Sequence, residues 1–143
     1  MPASADSDAD LLVDTSVAVA LVVGDHEHHL RTLEALAGRR LGLAGHAAFE
    51  TFSVLTRLPP PARRTPAIVA ELLASDFPHT RFLGAGATAA LFDRLAAAGI
   101  AGGSVYDALV GAVAAEHGLP LATRDRRALD TYRRLQVGVE LIA

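Results

Sequence analysis

Cysteine is absent from the 143-residue chain, and lysine is absent too, because all 13 basic residues are arginine. Without cysteine, disulfides, thiolate nucleophiles and Cys-ligated metal centres are excluded. Without lysine, a P-loop, a Schiff base and kinase-type phosphate pairing are excluded. The formal net charge of −3 argues against a protein that coats polyanions with its whole surface, although a cluster of arginines still allows a local basic patch.

Long hydrophobic runs are missing as well. The most apolar window, residues 17–23, lies between Asp14 and Asp25 and is far shorter than the about 20 residues of a spanning helix. Residues 1–10 are acidic and polar, unlike a signal peptide, and are expected to form a flexible leader. The hydrophobic content of 51% is ample for one core. We therefore expect a cytoplasmic protein without a membrane segment, folded as a single domain over residues 11–143.

Strand-like and helix-like segments alternate along the chain. Strands are predicted at residues 11–13, 41–44, 80–83, 120–123 and 139–142. Helices are predicted at residues 16–23, 28–37, 46–58, 65–75, 88–98, 104–117 and 126–135. This alternation predicts an α/β domain whose mainly parallel sheet is covered by helices on both faces.

Four acidic residues from distant segments are predicted to share one edge of this sheet. Asp14 and Asp125 directly follow predicted strands, and open parallel sheets bind ligands outside the carboxyl ends of their strands. Glu50 lies early in the helix that leaves the 41–44 strand, and Asp107 lies in the first turn of a helix that feeds the next strand. All four carboxylates are therefore expected on the same rim.

Each of these acids also has an ordinary structural explanation. Asp14 would cap the helix that follows it, and Ser104 with Asp107 matches a capping box. Glu50 fits a solvated helix face, and Asp125 fits a surface ion pair with a neighbouring arginine. None of these explanations requires convergence, and carboxylates a few ångströms apart repel unless a cation is bound. Oxygen ligands without cysteine favour a hard cation such as Mg²⁺ or Mn²⁺.

Four motifs occur in a characteristic order and spacing. They are Val13-Asp14-Thr15-Ser16-Val17, the helical Glu50, Tyr106-Asp107-Ala108-Leu109 and Leu121-Ala122-Thr123-Arg124-Asp125. Together they resemble the PIN-domain ribonucleases, specifically the VapC toxins of prokaryotic VapBC toxin–antitoxin pairs. The resemblance implies a compact three-layer α/β/α sandwich whose acidic pocket binds Mg²⁺ or Mn²⁺ and cleaves RNA. It also implies a homodimer that a cognate VapB-like antitoxin inhibits by covering the pocket.

The resemblance also implies roles for the acids. Asp14, Glu50, Asp107 and Asp125 match the acidic quartet of the family, position by position. Under this hypothesis Asp14, Asp107 and Asp125 hold the metal, directly or through water. Glu50 orients the attacking water or takes its proton.

Hydroxyl and guanidinium groups near these acids are further candidates. Thr15 or Ser16, and Thr123, match positions where the family often has a hydroxyl that supports a carboxylate. Possible contacts with RNA phosphates are Arg63, Arg64, Arg124, Arg126 and Arg127, for which a solvated charge run is the ordinary alternative.

Other functions stay open at this point. One alternative is a catalytically silent PIN-like module in which the same rim serves partner recognition. A phosphatase or receiver domain also places an aspartate after its first strand, but those families use a lysine that this chain lacks. A zinc site at His26, His28 and His29 is rejected because no acid at ligand spacing completes a tetrahedral set.

Overall fold

The computed structural model describes residues 9–143, in which a four-stranded parallel sheet lies between two layers of helices. The strands are β1 (Leu11–Val13), β2 (Leu41–Leu43), β3 (Leu121–Thr123) and β4 (Val139–Leu141). The helices are α1 (Thr15–Val22), α2 (His29–Leu36), α3 (His46–Thr56), α4 (Pro66–Asp76), α5 (Ala85–Ala98), α6 (Ser104–His117) and α7 (Leu129–Arg134), and a 3₁₀ turn (Arg126–Ala128) precedes α7. The predicted three-layer α/β/α sandwich is confirmed.

The strand order β2-β1-β3-β4 puts β1 at the centre of the sheet, covered on both faces. Leu11 and Val13 pack into the core formed mainly with α1–α4, and Leu12 packs into the core formed with α5–α7. All three side chains are fully buried, which contributes about 1.5–3 kcal/mol each. Asp14 follows directly, so this anchoring fixes where its carboxylate leaves the sheet.

Two helices begin at the carboxyl edge of the sheet. α3 starts at His46, two residues after β2 and its flanking Ala44, and α6 runs antiparallel to β3, which follows it. The C-cap of α6 is Gly118, whose φ of 64° is a left-handed conformation that suits glycine, as the sequence predicts. The first turns of α3 and α6 therefore lie beside the carboxyl ends of β1 and β3.

The predicted strand at residues 80–83 is wrong. Arg81 forms an isolated parallel bridge with Ala44, and no ladder continues from it. The reason is that a side chain replaces a backbone carbonyl as hydrogen-bond acceptor, since the N–H of Leu43 donates to the hydroxyl of Thr80 at 3.0 Å. The segment therefore runs beside β2 as an irregular connection.

Two predicted helix starts also differ from the structure. α5 begins at Ala85 rather than Thr88, because the Thr88 hydroxyl donates to the carbonyl of Gly84 at 2.8 Å instead of capping a new helix. The predicted helix at 126–135 opens as the 3₁₀ turn and becomes α-helical only from Leu129. The remaining helix and strand bounds agree with prediction to within two residues, and those of β1 and α6 agree in full.

Ion pairs close the end of the sheet at which the strands begin. The Asp10 carboxylate accepts a hydrogen bond from Arg40 Nη2 at 2.9 Å. The Glu140 carboxylate accepts hydrogen bonds from both Nη atoms of Arg39, at 2.7 and 2.8 Å. We call Asp10, Arg39, Arg40 and Glu140 the paired end. Asp10 was predicted to end a flexible leader, of which residues 1–8 lie outside the described residues. Within residues 9–143, no helix is both long and apolar enough to cross a bilayer.

Candidate active site

The four predicted acids line one pocket at the carboxyl edge of the sheet. The lining residues of this acidic pocket are Asp14, Thr15, Ser16, Glu50, Asp107, Val110, Asp125 and Tyr132. Asp14 and Asp125 follow β1 and β3, whereas Glu50 and Asp107 come from the first two turns of α3 and α6. Residues more than 100 positions apart in the sequence thus meet at one place.

Asp14 is the most buried acid of the pocket, with 5% of its surface exposed. Its Oδ1 accepts hydrogen bonds from the Ser16 hydroxyl at 2.5 Å and from the N–H of Val17 at 3.3 Å, so Asp14 caps α1 as one ordinary explanation predicted. Its Oδ2 accepts a hydrogen bond from the Tyr132 hydroxyl at 3.0 Å. Burial raises the pKa of Asp14, and hydrogen bonds from Ser16, Thr123, Val17 and Tyr132 oppose that rise.

The Asp107 carboxylate is compensated only at a distance, by the charge of Arg127. The capping box expected at Ser104 is absent, because α6 begins without any side-chain hydrogen bond at its N-cap. From residues 9–143, the Asp107 carboxylate receives neither a hydrogen bond nor an ion pair. Partial burial, followed by repulsion from the other three acids, raises the pKa of Asp107 from 3.8 to about 6.

Glu50 and Asp125 each have a nearby cationic or ionisable partner. His46 Nε2 lies 3.3 Å from Glu50 Oε1, one turn earlier on the same face of α3. Asp125 Oδ1 accepts the N–H of Arg127 at 3.0 Å and lies 3.4 Å from its Nε. The Arg127 side chain is 94% exposed, so this ion pair neutralises little of the charge inside the pocket.

Two of the predicted hydroxyls join the strand ends to the acids. The Ser16 hydroxyl, which donates to Asp14, also accepts the N–H of Arg124 at 2.8 Å. The fully buried Thr123 hydroxyl accepts the N–H of Asp125 at 3.0 Å. Thr15 lines the pocket, but no hydrogen bond joins its hydroxyl to an acid of the described chain. Ser16 rather than Thr15 therefore supports Asp14.

The donor chemistry of the pocket fits a hard cation, although the side chains do not form a ready coordination sphere. Among residues 9–143, no group of three or more His, Asp or Glu side chains is arranged so that it could hold a metal ion. Three of the acids instead face donors of their own chain, as expected of carboxylates that repel one another. The ligand atoms on offer are all oxygens, and one carboxylate lacks a donor, which suits Mg²⁺ or Mn²⁺.

The structure separates the candidate arginines into two places. Arg124, Arg126 and Arg127 neighbour Asp125 in the chain, but of these three only Arg127 contacts that acid, and none of them lines the acidic pocket. Arg63 and Arg64 lie beyond the far end of α3, where Arg63 Nε donates to the carbonyl of Leu58 at 2.8 Å. Neither of these two residues lines the pocket.

Sequence reasoning missed Tyr132. It shares the inner face of the last predicted helix with Ala128 and Leu135, four positions before it and three after, so its burial was predictable. A buried tyrosine hydroxyl usually finds a hydrogen-bond partner. The identity of that partner was not predictable, because Asp14 lies 118 positions away.

A family model for the PIN domain matches residues 11–134. The chain belongs to the PIN-domain family. This PIN domain is 47% identical over 133 residues to Ribonuclease VapC27 of Mycobacterium tuberculosis, which spans 93% of the chain and 97% of that relative. It is 48% identical over 131 residues to Ribonuclease VapC40 of the same species, spanning 90% and 96% respectively. The resemblance to VapC-type PIN domains is confirmed.

Solved structures with low sequence identity share the fold. A crystal structure of FitAcB from Neisseria gonorrhoeae superposes with a TM-score of 0.64 at 20% identity, covering 90% of this chain and 95% of that one. A structure of FitAB bound to an IR36 DNA fragment gives 0.63 at 18% identity, with 92% and 94% covered. At these identities the likeness establishes the architecture of this PIN domain and nothing about its substrate.

Proposed function

We propose that this PIN domain is the toxin of a toxin–antitoxin pair, a metal-dependent endoribonuclease that hydrolyses RNA phosphodiester bonds. The observation that carries the proposal is the acidic pocket, in which Asp107 has no donor and the other three acids help raise its pKa to about 6. Its relatives VapC27 and VapC40 are named ribonucleases, which supports RNA as the substrate.

The acids of the pocket and the neighbouring hydroxyls have separate roles in the proposed hydrolysis. Asp14, Asp107 and Asp125 would hold Mg²⁺ or Mn²⁺, which supplies charge neutralisation at the phosphate and a more acidic water when bound. Glu50 orients the attacking water or accepts its proton, and the contact with His46 at 3.3 Å holds its carboxylate at the pocket. The Ser16 and Thr123 hydroxyls hold the strand ends and the acids in fixed relative positions.

Contacts with RNA are proposed on one side of the pocket. Arg124, Arg126 and Arg127 flank Asp125 in the sequence, and Arg127 contacts it from solvent, which supports a role for these guanidinium groups in holding phosphates next to the acids. Such contacts position the strand and carry no sequence information by themselves.

Protein partners are proposed on an exposed apolar surface. Phe49 of α3 and Phe82 are 66% and 51% exposed, with ring centroids 6.1 Å apart. Exposed aromatic pairs of this kind commonly mark protein interfaces. They suit a homodimer contact or the cognate VapB-like antitoxin.

The test uses purified protein, free of antitoxin, incubated with structured RNA. We expect cleavage with Mg²⁺ or Mn²⁺, none after EDTA, and recovery when Mn²⁺ is added back. Asp107→Asn should be inactive and folded. The matched control is Asp130→Asn, which removes an exposed acid paired with Arg134 at 3.0 Å and should cleave normally.

Three outcomes would contradict the proposal. Cleavage that resists EDTA would show that the reaction does not need a divalent metal. Full activity of Asp107→Asn would show that the acidic pocket is not the site of the reaction. Binding of RNA without any cleavage would favour the silent binding module. As a cellular check, induced expression should halt growth, and co-expression of the adjacent upstream open reading frame should restore it.

A further inference from the structure

Tyr132 reaches from the α7 layer through the core to the acidic pocket. Its side chain is 1% exposed, and its hydroxyl donates to Asp14 Oδ2 at 3.0 Å. We propose that Tyr132 is a positioning residue for Asp14, which sets the orientation of that carboxylate toward the bound cation. This inference rests on the proposed function and adds a residue outside the acidic quartet.

The hydrogen bonds to Asp14 come from opposite sides. Oδ1 is held by Ser16 and Val17, both within three positions of Asp14 at the start of α1. The Thr123 hydroxyl, at the end of β3, also contributes a hydrogen bond to the Asp14 carboxylate. These three donors all lie at the carboxyl edge of the sheet. Tyr132 holds Oδ2 from another layer of the sandwich, on the side of α7. Both oxygens are then fixed, and the orientation of the carboxylate with them.

Tyr132 can serve as a fixed donor because its own ring is locked. The ring packs against Gly111 of α6, where an added Cβ would lie 2.9 Å from Tyr132 Cδ1. Glycine inside a helix costs about 0.5–1 kcal/mol relative to alanine. The helix therefore carries a destabilising residue at the one point where the tyrosine ring needs the space.

A purely structural explanation makes a different prediction. If Tyr132 only fills the core, the ring matters and the hydroxyl serves merely to avoid an unsatisfied polar group. Phenylalanine keeps the ring and its contact with Gly111, so it isolates the hydroxyl. Under the structural explanation, Tyr132→Phe changes stability alone.

The experiment compares Tyr132→Phe with Thr32→Val in the full chain. Thr32 is fully buried in α2, and its hydroxyl donates to the carbonyl of His28 at 2.8 Å, away from the acidic pocket. Mn²⁺ affinity is measured by electron paramagnetic resonance, and kcat and KM are measured on one RNA. Outer-shell partners of metal ligands typically change affinity 10–100-fold, so we expect Tyr132→Phe to weaken Mn²⁺ binding about 10-fold. It should lower kcat while KM stays within about twofold, and Thr32→Val should change neither quantity.

The same variants separate the two hypotheses. Wild-type-like Mn²⁺ affinity and kcat in Tyr132→Phe would overturn the positioning role. If wild-type protein neither binds Mn²⁺ nor cleaves RNA, the proposed function fails, and crystal structures of the variants still decide the inference. We then expect more than one orientation of the Asp14 carboxylate in Tyr132→Phe, and a single unchanged orientation would overturn it. Should Tyr132→Phe not fold, Gly111→Ala displaces the ring and tests the same effect.

Discussion

The two ends of the sheet carry the same kinds of acid in opposite electrostatic settings. At the paired end, hydrogen bonds from Arg40 lower the pKa of Asp10 to about 2, and the two contacts from Arg39 lower the pKa of Glu140. In the acidic pocket, burial and neighbouring carboxylates raise the pKa of Asp107 to about 6. One end has a guanidinium for every acid, and the other has acids that repel.

The difference is not a shortage of arginine. Arg124, Arg126 and Arg127 all neighbour Asp125 in the chain, yet of these only Arg127 contacts an acid, and it does so from solvent. A partly buried carboxylate without an ion-pair partner destabilises the protein when no cation is bound. Perturbed acids of this kind concentrate at functional sites, whereas matched ones stabilise the fold.

The largest expected effect comes from exchanging one aspartate at each end of β1. Asp14→Asn should lower the RNA cleavage rate by on the order of 100-fold or more, because a direct ligand matters at least as much as its outer-shell partners. Asp10→Asn makes the same chemical change at the paired end and should stay within about twofold of wild type. Cleavage rates at saturating Mg²⁺ measure both. A comparable loss in Asp10→Asn would erase the distinction between the two ends.

Divalent ions should distinguish the two ends in the folded protein without RNA. A ligand at 100 times its Kd stabilises the state that binds it by about 2.7 kcal/mol. We expect Mn²⁺ to raise the melting temperature of wild type and Glu140→Gln alike, and to raise that of Asp107→Asn much less. Differential scanning calorimetry measures the shift. An equal shift in all three proteins would place the ion outside the acidic pocket.

A smaller effect concerns the pH dependence of stability in EDTA. The raised pKa of Asp107 means that the folded protein binds a proton more tightly than the unfolded chain between about pH 4 and pH 6. Its contribution to the free energy of unfolding therefore falls as pH rises through that window and stays low above it. Asp107→Asn should gain about 1 kcal/mol at pH 7.5, after discounting for solvent screening, and nothing below pH 4.

Glu140→Gln is the control with the opposite sign. The lowered pKa of Glu140 contributes stability at neutral pH that is lost as pH falls through the folded pKa. This variant should be slightly less stable than wild type at pH 7.5 and equal to it in strong acid. Urea denaturation at several pH values measures both variants. Parallel curves for the two would show that the ends do not differ in charge balance.

The positions of the acids were predictable because each depends on a local signal. Asp14 and Asp125 follow short apolar strands, and parallel strands bring their carboxyl ends to one edge, so sequence alone places both residues. The partners were not predictable in the same way. The contact of Tyr132 with Asp14 joins positions 118 apart, and that of Arg39 with Glu140 joins positions 101 apart. Such pairs depend on how helix layers close over the sheet, which no local pattern specifies.

The local patterns that the structure does not bear out have the same origin. Ser104 and Asp107 match a capping box in sequence, yet α6 begins without a side-chain cap. The segment 80–83 has the composition of a strand, yet the Thr80 hydroxyl replaces a backbone acceptor for Leu43. In both cases the tertiary environment, rather than the local sequence pattern, decides the outcome. At Asp107 this outcome leaves the carboxylate free for the pocket.

The smallest expected effect tests how far the basic side of the pocket extends. In an inactive Asp107→Asn background, Arg126→Ala should weaken RNA binding a few-fold at every sequence and reduce the salt slope by about 1, because a phosphate contact is lost. Arg63→Ala removes another exposed arginine, beyond the far end of α3, and should leave the slope unchanged. Filter binding between about 50 and 200 mM salt measures both slopes. An equal reduction would mean that RNA follows α3 along its length, and an unchanged slope in Arg126→Ala would remove this arginine from the RNA contacts.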